Sequence, residues 1–144
     1  MSDVVFDTTV VSIGNKNIVD RKTGSSFDKI LHLLQKVVDR VLYVRYNDKL
    51  RKEYEEHVKT YRNDTIEIFF SILDSSQAIR VKKNNLSRQH FDLAVCKARW
   101  PNHDQHLIAA AINGKKPYIY VTEQRLERCA GEVYRVLRIR VIKI

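Results

Sequence analysis

A chain of 144 residues, 44% of them hydrophobic, is long enough to bury one core, and its lack of eighteen consecutive apolar residues argues against a membrane-spanning helix. Two cysteines, Cys96 and Cys129, make neither a CxxC pair nor a disulfide framework. The N-terminus lacks a basic region leading into an apolar stretch, so the expectation is a cytoplasmic protein without a secretory leader. The net charge of +9 is placed unevenly: residues 1–79 carry twelve basic and twelve acidic side chains, whereas residues 80–144 carry fourteen against five. Charge gathered in one half predicts a polyanionic partner, because Lys and Arg displace condensed counterions from phosphates.

The first element reads as a buried strand, Val4-Val5-Phe6-Asp7-Thr8-Thr9-Val10-Val11, apolar and β-branched on both sides of one carboxylate. An unpaired carboxylate in such a place costs several kcal/mol, roughly, unless it is neutralised, hydrogen-bonded or set on a metal. A polar stretch from Ser12 to Ser26 reads as a loop and a candidate lid. Ser25 or Ser26 then caps a helix whose Phe27, Ile30, Leu31, Leu34 and Val38 fall at helical spacing. Val41 to Val44 is a short strand. Asn47 or Asp48 opens a helix with Leu50, Tyr54, His57, Val58 and Tyr61 along one stripe, and Asp64 with Glu67 resembles a capping box before an apolar helix through Leu73.

Residues 80–103 read as basic and irregular, with room for a short helix from Phe91 to Ala98. Trp100-Pro101-Asn102 breaks the chain before a helix from Asp104 to Asn113, which Gly114 ends as a left-handed cap. A strand over Pro117 to Val121, a short helix over Gln124 to Cys129 and a last strand over Tyr134 to Ile142 complete the pattern. Strands alternating with helices, no repeats and no linker predict a single domain over 1–144, a three-layer α/β/α sandwich with a mostly parallel central sheet. Ligands in such folds bind outside the carboxyl ends of the strands.

Several acids are placed to reach that edge. Asp7 ends the first strand, Glu53 sits on the flank of its helix's apolar stripe, Asp104 falls on the buried face of the first helical turn, and Glu123 directly follows a strand. Glu55 and Glu56 point elsewhere and read as solvated surface. Carboxylates from separate elements suit hard cations such as Mg²⁺ or Mn²⁺, and with a basic half they make metal-assisted phosphodiester hydrolysis the economical reading. An Asp104 that merely caps its helix is the plain structural alternative. His103-Asp104 also matches the dyad of HD phosphohydrolases, but those are all-helical. A zinc site from His57, His103, His106 and a cysteine has no supporting spacing, and His106 is expected on the helix surface.

Val4 to Val10, Leu50 to Val58, and Asp104-Gln105-His106-Leu107-Ile108-Ala109-Ala110-Ala111 followed by Tyr120-Val121-Thr122-Glu123 together resemble a PIN domain, over nearly the full chain. The resemblance implies a metal-dependent ribonuclease, an endonuclease that leaves 5′-phosphate and 3′-hydroxyl ends. Asp7, Glu53 and Asp104 match the family's three core acids. At the fourth position the family's Thr-x-Asp or Ser-x-Asp stands here as Thr122-Glu123-Gln124, so Gln124 takes the acid's place and Glu123 is one residue early. Thr122 remains placed to bond a metal water or a neighbouring carboxylate. The implied cofactor is Mg²⁺ or Mn²⁺, the implied substrate single-stranded RNA, and the family includes toxins paired with acidic antitoxins and proteins that form homodimers.

Lys82, Lys83, Arg88, Lys97, Arg99, Arg138 and Arg140 are the candidate phosphate contacts, with Trp100, Tyr118 and Tyr120 available to stack on bases. Two other functions use the same residues. One is a non-catalytic RNA-binding module, which Gln124 favours; the other is a structural subunit whose basic face binds an acidic protein.

Overall fold

The computed structural model describes residues 2–144. Five strands, β1 (Ser2–Phe6), β2 (Leu42–Tyr46), β3 (Ile79–Arg80), β4 (Tyr118–Val121) and β5 (Arg140–Lys143), form one all-parallel sheet in the order β3-β2-β1-β4-β5. Eight α-helices accompany it: α1 (Thr8–Gly14), α2 (Ser26–Val38), α3 (Asp48–His57), α4 (Asp64–Leu73), α5 (Arg88–Phe91), α6 (Gln105–Ala111), α7 (Gln124–Glu127) and α8 (Ala130–Leu137). The arrangement is consistent with the three-layer α/β/α sandwich the sequence predicts. α1, α2 and α4 pack together, while α6 lies on β1, β2 and β4 and α8 on β5. No helix among the described residues is long and apolar enough to cross a membrane.

β1 is central, and its Val4, Val5 and Phe6 are fully buried, as expected of a strand covered on both faces. The chain leaves β1 toward β2 on one side and returns to β4 on the other, pairing Phe6 with Tyr120. This reversal opens a crevice at the carboxyl ends of β1 and β4, the place where open parallel sheets hold ligands.

Several local expectations are corrected. The first strand stops at Phe6, and Thr8 to Gly14 is helical although Thr8, Thr9, Val10 and Val11 favour strands. Asp7 accepts a hydrogen bond from the Thr8 N–H and starts the helix, which buries Val10 and Val11 together. Gly14 ends that helix where a Cβ would stand 2.9 Å from Leu34 Cδ1 and 3.0 Å from Ile30 Cγ2, so α1 lies close on α2. In the stretch after it a 3-10 turn spans Ile18–Asp20, and Asn15 and Asn63 tie its start to residues 60–63 through Thr60 O, Gly14 O and Lys16 O at 2.8 Å each.

At the other end, Ala130 to Leu137 is helical, because Val133, Val136 and Leu137 fall at helical spacing against the core. Only Arg140 to Lys143 is a strand. β3 has two exposed residues and hence no apolar signal to betray it. The cap of α4 is Asn63, whose side chain accepts from Ile66 N, rather than Asp64. α6 ends at Ala111 with Asn113, not Gly114, in the left-handed region (φ 67°). Gly114 serves close approach instead, since a Cβ there would meet Ala111 O at 3.0 Å and Arg45 Cδ at 3.1 Å. The buried Arg45 donates to Ala110 O and Ile112 O at this helix end, 3.5 Å from buried Asp3.

Candidate functional site

The crevice between β1 and β4 gathers acids from four separate elements. Asp7 follows β1 directly, and its backbone N–H donates to Tyr120 O across the strand pair. Its side chain is buried, with Oδ1 taking the Thr8 N–H at 2.7 Å and Oδ2 the Thr9 hydroxyl at 3.4 Å. Burial pushes the Asp7 carboxyl up to about 6 against the pull of the Thr8 N–H, and the negative charges of Asp104, Glu123 and Glu53 add to the rise. All three other candidate acids therefore act on Asp7 at short enough range to matter.

Glu53 lies on α3, next to the fully buried Tyr54, whose hydroxyl donates to the carbonyl of Phe6. That bond ties the helix bearing Glu53 to the residue just before Asp7. Glu53 Oε2 accepts from the Thr8 hydroxyl at 2.8 Å, and its Oε1 stands 3.0 Å from His106 Nε2. His106 is 2% exposed, contrary to the surface position expected of it, because it faces inward from the first turn of α6. Neither ring nitrogen makes a hydrogen bond; the approach to Glu53 has the distance but not the direction of one. Burial lowers the His106 pKa, and the charge of Glu53 opposes it.

Asp104 stands at the start of α6 but does not cap it: no backbone N–H of the helix bonds its side chain. Trp100, fully buried rather than free to stack on bases, donates from Nε1 to Asp104 O at 2.8 Å and fixes the backbone there. The Asp104 carboxyl is thus left for other partners. Its Oδ2 lies 3.3 Å from Arg125 Nη2 and 3.3 Å from His103 Nε2. Burial raises the Asp104 pKa, while His103, His106 and Arg125 oppose the rise. Glu123, half exposed, accepts from the same Arg125 Nη2 at 3.2 Å, so one guanidinium spans two of the four acids.

Thr122 bonds the Thr9 hydroxyl at 2.6 Å rather than a carboxylate, which links the end of β4 to Asp7 through Thr9. Gln124, the first residue of α7, is exposed. The structure thus brings Asp7, Glu53, Asp104, Glu123 and Thr122 to one crevice. It does not bring the basic candidates there. Among the described residues none of Lys82, Lys83, Arg88, Lys97, Arg99, Arg138 and Arg140 pairs with any of the four acids, and Arg138 and Arg140 lie at the amino-terminal side of β5.

Thr8, Thr9, Tyr54 and Arg125 contact the acids or their backbone and are passed over by sequence reasoning, as is the contact of Trp100 with Asp104. The threonines adjoin Asp7 and Arg125 follows Glu123 by two, so adjacency to a candidate acid was the available signal. Tyr54 and Trp100 had none, since only the packed fold aims their polar atoms.

The donor set is hard oxygen, which suits Mg²⁺ or Mn²⁺. A buried Asp7 whose charged neighbours are mainly acids is costly without a cation nearby. By chemistry and by the unbalanced charge at Asp7, the residues fit a divalent ion, with Asp7, Glu53 and Asp104 the ones that would hold it. No three His, Cys, Asp or Glu side chains among the described residues already stand at ligating positions around one point. Thr8 holds Glu53 and Arg125 holds Asp104 instead. No protein-family model, curated protein or solved structure matches this chain.

Proposed function

We propose that the chain is a metal-dependent ribonuclease of the PIN type that hydrolyses RNA phosphodiester bonds, as an endonuclease, at the crevice between β1 and β4. The observation that carries this reading is the buried Asp7 at the topological switch point, its carboxyl raised by burial and by three further acids from separate elements. Such a constellation destabilises the fold unless something positive is bound there, and selection for a packed core has no use for it.

Asp7, Glu53 and Asp104 would hold Mg²⁺ or Mn²⁺, and Glu123 stands beside them. When bound, the ion supplies Lewis-acid polarisation of the scissile phosphate and a water acidified enough to attack it. The chain's own part is orientation. Tyr54 and Trp100 pin the backbone beside Glu53 and at Asp104, and Thr8 turns Glu53. Arg125, half exposed and bonded only to exposed or partly exposed partners, can swing from the acids to a phosphate oxygen, which its planar fork suits.

End-labelled single-stranded RNA incubated with Mn²⁺, Mg²⁺ or EDTA, beside Asp7→Asn, tests the reading. Metal-dependent cleavage that vanishes in the variant supports it; equal products with EDTA or in the variant refute it. A second reading, a non-catalytic RNA-binding module, draws on exposed Gln124 in the usual acid's place and on Arg125 neutralising two of the acids. RNA that binds equally well to both proteins and is never cut would favour it.

A further inference from the structure

A large cavity lies away from the acids. It measures about 740 Å³ and is lined by the loop after α6, the start of β4 and the α8–β5 junction. Its polar lining is His90, Lys116, Arg138 and Arg140, with Tyr118 and Tyr134 as aromatic surface, and among the described residues no carboxylate lines it. A second cavity of about 270 Å³, carrying Lys82 and Lys83 and likewise no carboxylate, shares His90, Ile112 and Asn113 with it, so the two form one groove.

Three features set this groove apart from an ordinary basic surface. First, it gathers five Lys and Arg side chains that form no ion pair among the described residues, Lys82, Lys83, Lys116, Arg138 and Arg140, around one lining, where cavities elsewhere on the surface hold three; Arg45, also in the lining, is held by Asp3. Second, Arg138 and Arg140 are held on the ring of Tyr134, with guanidinium carbons 5.3 and 4.6 Å from its centroid. That fixes two cations beside an exposed aromatic face. Third, of the five non-glycine residues with left-handed backbone, three line the groove: Asn113 (φ 67°), Lys116 (φ 41°) and Arg138 (φ 58°). Arg138 ends α8 where glycine is the usual choice, so a cationic side chain is kept against the preference of the backbone.

We infer that this groove is a second RNA-binding surface, which holds the phosphates of single-stranded RNA on Lys82, Lys83, Lys116, Arg138 and Arg140 and stacks a base on the layer formed by Tyr134 and the guanidinium planes over it. The inference rests on RNA being the partner, as in the proposed function, but not on cleavage. The strands are parallel, so Tyr118 and Arg140 start β4 and β5 at the edge opposite the one where Asp7 and Glu123 follow β1 and β4. Lys82 and Lys83 follow β3 and stand toward the carboxyl ends, so RNA along the groove is gripped by Lys116, Arg138 and Arg140 away from the acids and led toward them by the two lysines. An acidic protein segment would also be attracted by the cations. The paired arginines over an exposed tyrosine favour RNA, because unpaired bases stack on such layers and Glu or Asp side chains do not.

The test is fluorescence anisotropy of the full chain with a labelled single-stranded RNA of about twelve nucleotides, in EDTA and over a salt series. Variants are the double change Arg138→Gly with Arg140→Ala and, as a control, Arg40→Gly, which removes a left-handed arginine (φ 61°) outside the groove. The double variant is expected to bind about tenfold more weakly and to lower the salt slope by about 1.4, the share of two phosphate contacts on a single strand. Arg40→Gly is expected to stay within about twofold of the unaltered protein. Melting temperature separates binding from folding, since Arg138→Gly alone relieves strain and is expected not to melt lower. Equal loss in Arg40→Gly, an unchanged slope in the double variant, or displacement by polyglutamate but not by RNA would overturn the inference. If Asp7→Asn abolishes cleavage while the groove variants bind like the unaltered protein, the groove alone fails. If RNA is never cut but the groove variants lose it, the ribonuclease reading alone fails. An unaltered protein that does not bind RNA at low salt overturns both.

Discussion

Replacing Asp7 by Asn is expected to stabilise the protein while it removes activity, and the size of the effect follows from the site. A carboxyl that titrates near 6 in the fold and at 3.8 when unfolded costs the native state about 3 kcal/mol in its charged form. The sign follows from proton counts: between pH 4 and 6 the native state binds the extra proton, so this group's contribution is present below pH 4 and is lost as pH rises through 6. Asn carries no charge and so escapes the loss, but it weakens the bond from the Thr8 N–H by about 1 kcal/mol. The net gain at pH 7.5 is about 2 kcal/mol, which for a chain of this length is a rise of about 4–8 °C in melting temperature. At pH 4 the advantage should disappear. Thermal melts in EDTA at both pH values measure it. An Asp7→Asn protein that melts lower at pH 7.5, or whose gain is the same at pH 4, would refute the claim that an uncompensated charge sits at this position. Mn²⁺ should then raise the melting temperature of the unaltered protein, by about 2.7 kcal/mol at a hundredfold excess over Kd, and move Asp7→Asn far less.

Three further changes probe the surroundings. Arg125→Ala removes the cation that spans Asp104 and Glu123; because that pair is half exposed, its loss should cost under about 1 kcal/mol of stability and tighten Mn²⁺ binding up to about fivefold, read from a thermal-shift titration. A weaker Mn²⁺ affinity would mean that Arg125 supports the ion rather than displacing it. Tyr54→Phe strips the Phe6 carbonyl of its buried donor and should cost about 1–3 kcal/mol in chemical denaturation, with an unchanged midpoint counting against the bond. Gly14→Ala sets helix propensity, a gain of about 1 kcal/mol, against a Cβ under 3.0 Å from Leu34, an overpacking cost of about 1–3 kcal/mol. A stabilised Gly14→Ala would show that α1 and α2 can separate without loss.

The parallel architecture was legible because its signals are long. β1 and β4 are apolar runs, α2 carries a clear stripe, and α6 is an apolar run buried nearly all round. Asp7, Glu53 and Asp104 were legible because each interrupts or flanks an apolar pattern where a charge is costly. What escaped is local conflict decided by tertiary contact. Thr8 to Val11 favours a strand by composition, yet a hydrogen bond to Asp7 and close packing of Gly14 make it a helix. The arginines of 135–140 look like one alternating strand, although Arg138 in a left-handed conformation divides a helix from a strand inside them. His106 looks like surface because its neighbours Gln105 and Asp104 are polar, and only the packed position of α6 against α3 turns it inward.

Separation of charge follows from this topology. The acids gather at the carboxyl ends of β1 and β4, whereas Lys116, Arg138 and Arg140 lie toward the amino-terminal ends of β4 and β5, with Lys82 and Lys83 following β3 on the carboxyl side. Were the cations beside the acids, they would neutralise them, as Arg125 does for two; the cost of Asp7 would vanish and with it the pull on a divalent ion. Set apart by the length of the strands, the acids and the cations toward the amino-terminal ends are only weakly coupled through solvent at physiological salt. Each can then act on a different part of one polyanion. One prediction separates this arrangement from a chance distribution. Moving a cation to the acids, by Gln124→Lys, should lower the Asp7 carboxyl toward its ordinary range and weaken Mn²⁺ binding. Gln124→Asp, which adds an acid beside Glu123, should strengthen it, and if both changes leave the Mn²⁺ affinity alike, the crevice does not respond to charge and the metal reading falls.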